Sequence, residues 1–168
     1  MIDIIQKYKA TVCFTAPTAY NIMLLAMDEG VDLSSLRAAV SAGETLPAPV
    51  YKKWLKKTGK PMLDGIGATE LLHIFISNTF DEHKESCTGK PIKGYEAKIV
   101  DENMNELAIG EVGQLAVRGP TGCRYLSDNR QSDYVVDGWN ITGDSFHMDS
   151  EGYFYFKARN DDMIISSG

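Results

Sequence analysis

Cysteine is scarce: Cys13, Cys87 and Cys123 stand far apart in 168 residues, with no paired spacing between them. That excludes a disulfide framework and a cysteine-rich zinc site, and it makes a reducing cytoplasm the expected location. Basic residues are in deficit, 17 against 23 acidic ones, for a formal net charge of −6. A nucleic-acid surface needs clustered cations to neutralise phosphates, so that class of partner is excluded, whereas a nucleotide held by a few local donors is not. Long apolar runs are missing too. The longest mainly apolar stretches, 11–16 and 71–76, are far too short to cross a bilayer. There is no internal repeat, no low-complexity tract, and no Gly-Lys-Ser or Gly-Lys-Thr of a Walker phosphate loop. His83 and His147 have no second ligand at metal spacing and read as surface or turn residues.

What is present suits one substantial core: 43% hydrophobic and 24% charged residues. The pattern over roughly the first eighty residues alternates helix and strand. Ile2, Ile5 and Tyr8 fall at helical spacing, and Thr11-Val12-Cys13-Phe14-Thr15 is a β-rich run. Pro17 opens a helix whose Tyr20, Met23, Leu24 and Met27 form an apolar face, closed by Gly30. Ala38-Ala39-Val40 reads as a buried strand entering Ser41-Ala42-Gly43-Glu44. Pro47 and Pro49 open a third helix with Val50, Trp54 and Leu55 inward and the Lys52 to Lys57 cluster solvated. Pro61-Met62-Leu63-Asp64 then reads as a strand followed by a glycine-rich turn, Gly65 to Gly67. Such alternation predicts parallel βα units, with ligands at the strand ends. Beyond Phe80, short strands at 95–101, 113–118, 146–148 and 153–157 are separated by turn residues, which predicts antiparallel structure. The fold class expected is therefore α/β: parallel βα units at 1–85, then a β-rich region at 86–160.

Three clusters carry chemistry. In Asp64-Gly65-Ile66-Gly67-Ala68-Thr69-Glu70 the glycines let backbone approach a planar or anionic ligand, Thr69 offers a donor to a phosphoryl oxygen, and Glu70 offers a carboxylate to a magnesium ion. Gly138-Trp139-Asn140-Ile141-Thr142-Gly143-Asp144 supplies a carboxylate able to accept both hydroxyls of a ribose, and Arg159-Asn160-Asp161-Asp162 supplies a guanidinium suited to ribose or phosphate. Taken singly, each is more often a tight turn, a β-turn aspartate or a surface ion pair.

In this order and spacing the clusters resemble the adenylate-forming superfamily of acyl-CoA synthetases, firefly luciferases and peptide-synthetase adenylation domains. Ser41-Ala42-Gly43-Glu44 sits where that family has its adenine loop, and Phe14-Thr15-Ala16-Pro17-Thr18-Ala19-Tyr20 resembles its upstream aromatic-proline element. The resemblance implies the large N-terminal domain of such an enzyme, in part, with a β-barrel-like second region. It places Gly43, Glu44 and Thr45 beside adenine, Asp64, Gly65, Ile66, Gly67, Ala68 and Thr69 around adenosine and the α-phosphate, and Glu70 near magnesium. Asp144 would hold the ribose hydroxyls, Phe156 would pack near the base, and Arg159 would contact ribose and phosphate. Thr69, Glu70 and Arg159 would be catalytic. Asp161 falls at the family's hinge, so 161–168 would begin a small C-terminal domain.

Asp64 to Phe75 is most similar to the benzoate-CoA ligase group, which implies that Gly67, His73 and Ile74 line an aryl pocket; the alternative for His73 is a buried, hydrogen-bonded core residue. Thr121-Gly122-Cys123-Arg124-Tyr125-Leu126, with Gly138 to Asp144 and Ala158-Arg159 to Gly168, tilts the resemblance toward the 2-aminobenzoate branch. The implied substrates are a small-molecule carboxylate, ATP and coenzyme A, with AMP as product and magnesium as the ion. Two elements of the family pattern do not occur: the Ser/Thr/Gly-rich loop ending in Pro-Lys and the domain bearing the adenylation lysine. The expectation is an internal segment of a ligase, inactive alone. Alternatives are a medium-chain acyl-CoA synthetase, a peptide-synthetase-type adenylation domain and a non-catalytic nucleotide-binding module.

Overall fold

The computed structural model describes residues 1–127 and 129–159; the hinge expected at Asp161 lies outside them. Five strands form the first sheet in the order β1 (Val12–Thr15), β2 (Ala38–Ser41), β3 (Met62–Gly67), β4 (Ile74–Ser77) and β5 (Lys90–Pro91). β1, β2 and β3 are parallel, joined through α2 (Pro17–Leu25) and α3 (Ala48–Thr58), with α1 (Ile2–Tyr8) preceding them. The parallel expectation stops there, because β3–β4 and β4–β5 are antiparallel. Nor is Gly65 to Gly67 a turn: it completes β3, and the chain reverses later, through a 3-10 turn at Thr69–Leu71 and Leu72 at φ 71°.

α2 and α3 bury the expected faces. Tyr20 and Trp54 are fully buried and meet edge to face, with ring centroids 5.0 Å apart. Truncating an interior aromatic of this kind costs about 3–5 kcal/mol. The Tyr20 hydroxyl donates to the Cys13 carbonyl at 2.7 Å, pinning α2 to β1. Leu55 is corrected: it is exposed, and Tyr51, one turn earlier on the adjacent stripe, takes the inward place. The lysine cluster is mostly solvated, yet Lys57 Nζ donates to the carbonyls of Leu24 and Met27 at 3.2 and 2.6 Å, capping the end of α2.

The second sheet runs β10 (Phe154–Arg159), β9 (Trp139–Met148), β7 (Gly113–Arg118) and β6 (Glu96–Val100), all antiparallel, with the short β8 (Val135–Val136) against β9 and α4 (Arg130–Tyr134) before it. β9 is far longer than the strand expected at 146–148. Gly143, at φ 76°, makes this possible: between the β9 pairings with Gln114 and Ala116 the register shifts, so β9 carries a bulge beside Asp144. A bulge re-aims the side chain next to it. A core of Leu71, Phe75, Ile76, Leu115, Phe146 and Phe154 joins this sheet to β4. No helix among the described residues is long and apolar enough to cross a membrane.

Candidate functional site

The ends of β2 and β3 and the inner faces of β9 and β10 enclose a cavity of about 400 Å³. From the first sheet come Gly43, Glu44 and Thr45 after β2, and Asp64, Gly65, Ile66 and Gly67 on β3; from the second come Asp144, Phe146, Phe156, Ala158 and Arg159. Thr88, in the connection between the sheets, completes the lining. A second cavity, about 660 Å³, is lined by Gly67, Ala68, Thr69, Glu70, Ile141, Thr142 and Gly143 with Tyr125, Arg130, Asp133 and Tyr134. Gly67, Asp144 and Arg159 line both, so the two spaces adjoin.

Each candidate residue has a physical reason for its place. Gly43 (φ 87°) turns the chain at the end of β2 in a conformation that suits glycine. Glu44 is exposed, and its Oε2 accepts from the Thr18 hydroxyl at 2.6 Å and from the Thr18 N–H at 3.4 Å, so the carboxylate also serves the N-terminus of α2. Gly67 carries no side chain because a Cβ there would stand 2.6 Å from the His73 carbonyl oxygen. Asp144, buried beside the bulge, lies 3.4 Å from Arg159 Nε through its Oδ1. Burial pushes its carboxyl up from the ordinary carboxylate range, and Arg159 opposes the rise. Phe146 and Phe156 meet edge to face at 5.4 Å in the wall of the first cavity, giving it an aromatic side suited to a flat ring.

Asp64 is the anomaly of the site. It is only 9% exposed, and Oδ1 has no partner of hydrogen-bonding geometry, nor has the buried Ser41 Oγ close by. Burial pushes its carboxyl to about 7, against the opposing influence of the Ser41 hydroxyl and the Gly65 N–H.

Glu70, in the second cavity, accepts from the Tyr125 hydroxyl through Oε1 at 2.8 Å. Among the described residues no group of three or more His, Cys, Asp or Glu side chains is placed to hold a metal. A magnesium ion commonly takes one or two carboxylates and completes its shell with water and substrate phosphates, so Glu70 alone fits that donor set.

His73 and Ile74 do not join the cavity linings. His73 is exposed, which corrects the buried-core alternative; its Nδ1 donates to the Ile74 carbonyl and its ring meets Tyr95 edge-on at 5.8 Å. Ile74 packs along Gly65, where a Cβ would come within 3.1 Å of its side chain. Sequence reasoning missed Phe146, although two-residue alternation from Asp144 along β9 signalled it. It also missed Thr88, for which no local signal exists, and treated Tyr125 only as part of a motif.

Residues 1–125 match the family model described as AMP-binding enzyme. The chain is 35% identical over 175 residues to the 3-hydroxybenzoate–CoA ligase of Aromatoleum sp. (strain CIB), covering 100% of the chain and 33% of that protein. It is also 35% identical over 175 residues to the mitochondrial acyl-coenzyme A synthetase ACSM3 of Mus musculus, covering 100% of the chain and 30% of that protein. A crystal structure of the anthranilate CoA ligase AuaEII in complex with anthranoyl-AMP superimposes with a TM-score of 0.90 at 38% identity, over 97% of this chain and 32% of that one. The chain thus spans about a third of the length of the curated relatives it matches.

Proposed function

This chain belongs to the AMP-binding enzyme family, and from that premise we propose that it is the adenylate-binding part of an AMP-forming acyl-CoA ligase acting on an aromatic carboxylate of the benzoate or 2-aminobenzoate kind. The observation that carries the reading is the pair of adjoining cavities with Gly67, Asp144 and Arg159 at their junction. The first, with the Phe146–Phe156 wall and the Gly43 to Thr45 loop, takes the adenine. Asp144 takes the ribose hydroxyls, and the second, with Thr69 and Glu70, takes the phosphates. Relatives named for 3-hydroxybenzoate and anthranilate favour an aryl acid; the relative named only as an acyl-coenzyme A synthetase specifies no acid and keeps a medium-chain acyl-CoA synthetase as the second reading.

In the reaction proposed, a carboxylate oxygen attacks the α-phosphorus of ATP and pyrophosphate departs. The sulfur of coenzyme A then attacks the acyl carbon of the mixed anhydride and AMP departs. When bound, magnesium neutralises charge on the phosphates. The protein's share is placement: Thr69 donates to a phosphoryl oxygen, Arg159 counters charge near the α-phosphate, and Asp144 fixes the ribose. Positioning and preset charge are the main sources of acceleration in such transfers, and losing one donor costs about 100- to 1000-fold in rate.

The test is a panel of carboxylic acids assayed by pyrophosphate release, with and without coenzyme A, on the polypeptide encoded by the complete reading frame. Benzoate-type acids should lead, and thioester should form only with coenzyme A. Release driven best by an amino acid, or by no acid, would reject the reading. His73→Ala should reorder the acids, and an unchanged order would remove that residue from the acyl site. The 168-residue chain alone should bind nucleotide without turnover.

A further inference from the structure

We propose that Tyr125 is a positioning residue for Glu70, holding one carboxylate oxygen so that the other faces the cavity at a fixed point for a divalent cation on the nucleotide's phosphates. A glutamate beside an open cavity of about 660 Å³ would otherwise sample many rotamers, each ligating the ion differently. Here Oε1 accepts from the Tyr125 hydroxyl at 2.8 Å, which leaves Oε2 for the ion. This inference rests on the reading of Glu70 as the metal-binding carboxylate.

Tyr125 is fixed in turn. Its backbone N–H donates to Gln131 Oε1 at 2.8 Å, its ring meets Tyr134 edge-on at 5.9 Å, and the Arg130 guanidinium lies 4.8 Å from its ring centroid. The cation over the ring face draws electron density from the phenol and makes it a better donor. The segment before Tyr125 is tied to the 3-10 turn that carries Glu70, since the Thr121 hydroxyl donates to the Leu71 carbonyl at 2.8 Å. Thus two segments 55 residues apart meet on one carboxylate oxygen.

The test measures Mn2+ affinity with protein in excess over ATP, by electron paramagnetic resonance, in which the spectrum of protein-bound Mn2+–ATP is told apart from those of the free ion and of Mn2+–ATP in solution. It uses wild type, Glu70→Gln, Tyr125→Phe and the double variant of the polypeptide encoded by the complete reading frame, with metal-free AMP affinity recorded alongside. Tyr125→Phe keeps the ring and its contact with Arg130, so it should weaken Mn2+ about tenfold, the loss of one hydrogen bond to a charged acceptor, and leave AMP affinity within about twofold. Glu70→Gln should weaken Mn2+ further, and the double variant should be no worse than Glu70→Gln, since the hydroxyl acts only through the carboxylate. Unchanged Mn2+ affinity in Glu70→Gln would overturn the underlying metal reading. A weakened Glu70→Gln beside an unchanged Tyr125→Phe would overturn the role of Tyr125 alone. Equal losses of Mn2+ and AMP in Tyr125→Phe would show a general structural role and also overturn it.

Discussion

Replacing Asp64 by asparagine removes a buried acid while keeping its shape, and the consequence can be worked out with its sign. The folded carboxyl lies at about 7 against an ordinary value of 3.8, because burial disfavours the charged form. Between those values the native protein holds a proton that the unfolded chain releases. Stability contributed by Asp64 is therefore full below about pH 4, falls as pH rises, and is lost above about 7. A separation of about 3 pK units corresponds to about 4 kcal/mol at most. Urea unfolding of wild type and Asp64→Asn at intervals from pH 4 to pH 8, followed by the fluorescence of Trp54 and Trp139, reads this directly. The difference in stability should swing toward the variant by up to about 4 kcal/mol over that interval. The three histidines are common to both proteins and cancel in the difference. A difference that stays flat from pH 4 to pH 8 would refute the reasoning.

Gly67→Ala drives a methyl to 2.6 Å from the His73 carbonyl oxygen, an overpacking worth about 1–3 kcal/mol, so its thermal midpoint should fall by about 2–12 °C in calorimetry. Lys84→Met removes the cation that pairs with Asp149 and Glu151 at 3.0 and 2.5 Å and lies 4.5 Å from the Tyr153 ring centroid. Burial alone would raise the Asp149 carboxyl, but bonds from the Tyr153 N–H, Lys84 and Tyr155 hold it at about 2. Its stabilising effect is present above the ordinary carboxylate value and lost as pH falls toward 2, so Lys84→Met should unfold at a higher pH in an acid titration followed by circular dichroism. Asp144→Ala should weaken AMP about 10- to 100-fold by calorimetric titration, since it deletes a charged acceptor.

The strand-helix grammar before Asp64 was readable because proline openings and apolar faces agree there, as Pro17 and the Tyr20 to Leu24 face illustrate, but the stop was misplaced: α2 ends at Leu25, five residues before the Gly30 expected to close it. It failed at β4. The apolar run 71–76 is too short for its period to distinguish a helix from a strand, and Leu72, not a glycine, takes the positive-φ position where the chain reverses. The glycines and carboxylates of the cavities were legible as clusters, since Gly43, Gly67, Glu70 and Asp144 sit in short motifs. Their partners were not. Thr18 meets Glu44 across 26 residues and Tyr125 meets Glu70 across 55, separations at which only the folded topology brings side chains together.

The most direct measurement is a crystal structure of the chain soaked with AMP. The base should lie against Phe156 in the smaller cavity, the ribose hydroxyls should meet Asp144, and the phosphate should enter the larger cavity beside Thr69. AMP seated elsewhere, or both cavities without density at a concentration that saturates binding in solution, would contradict the account.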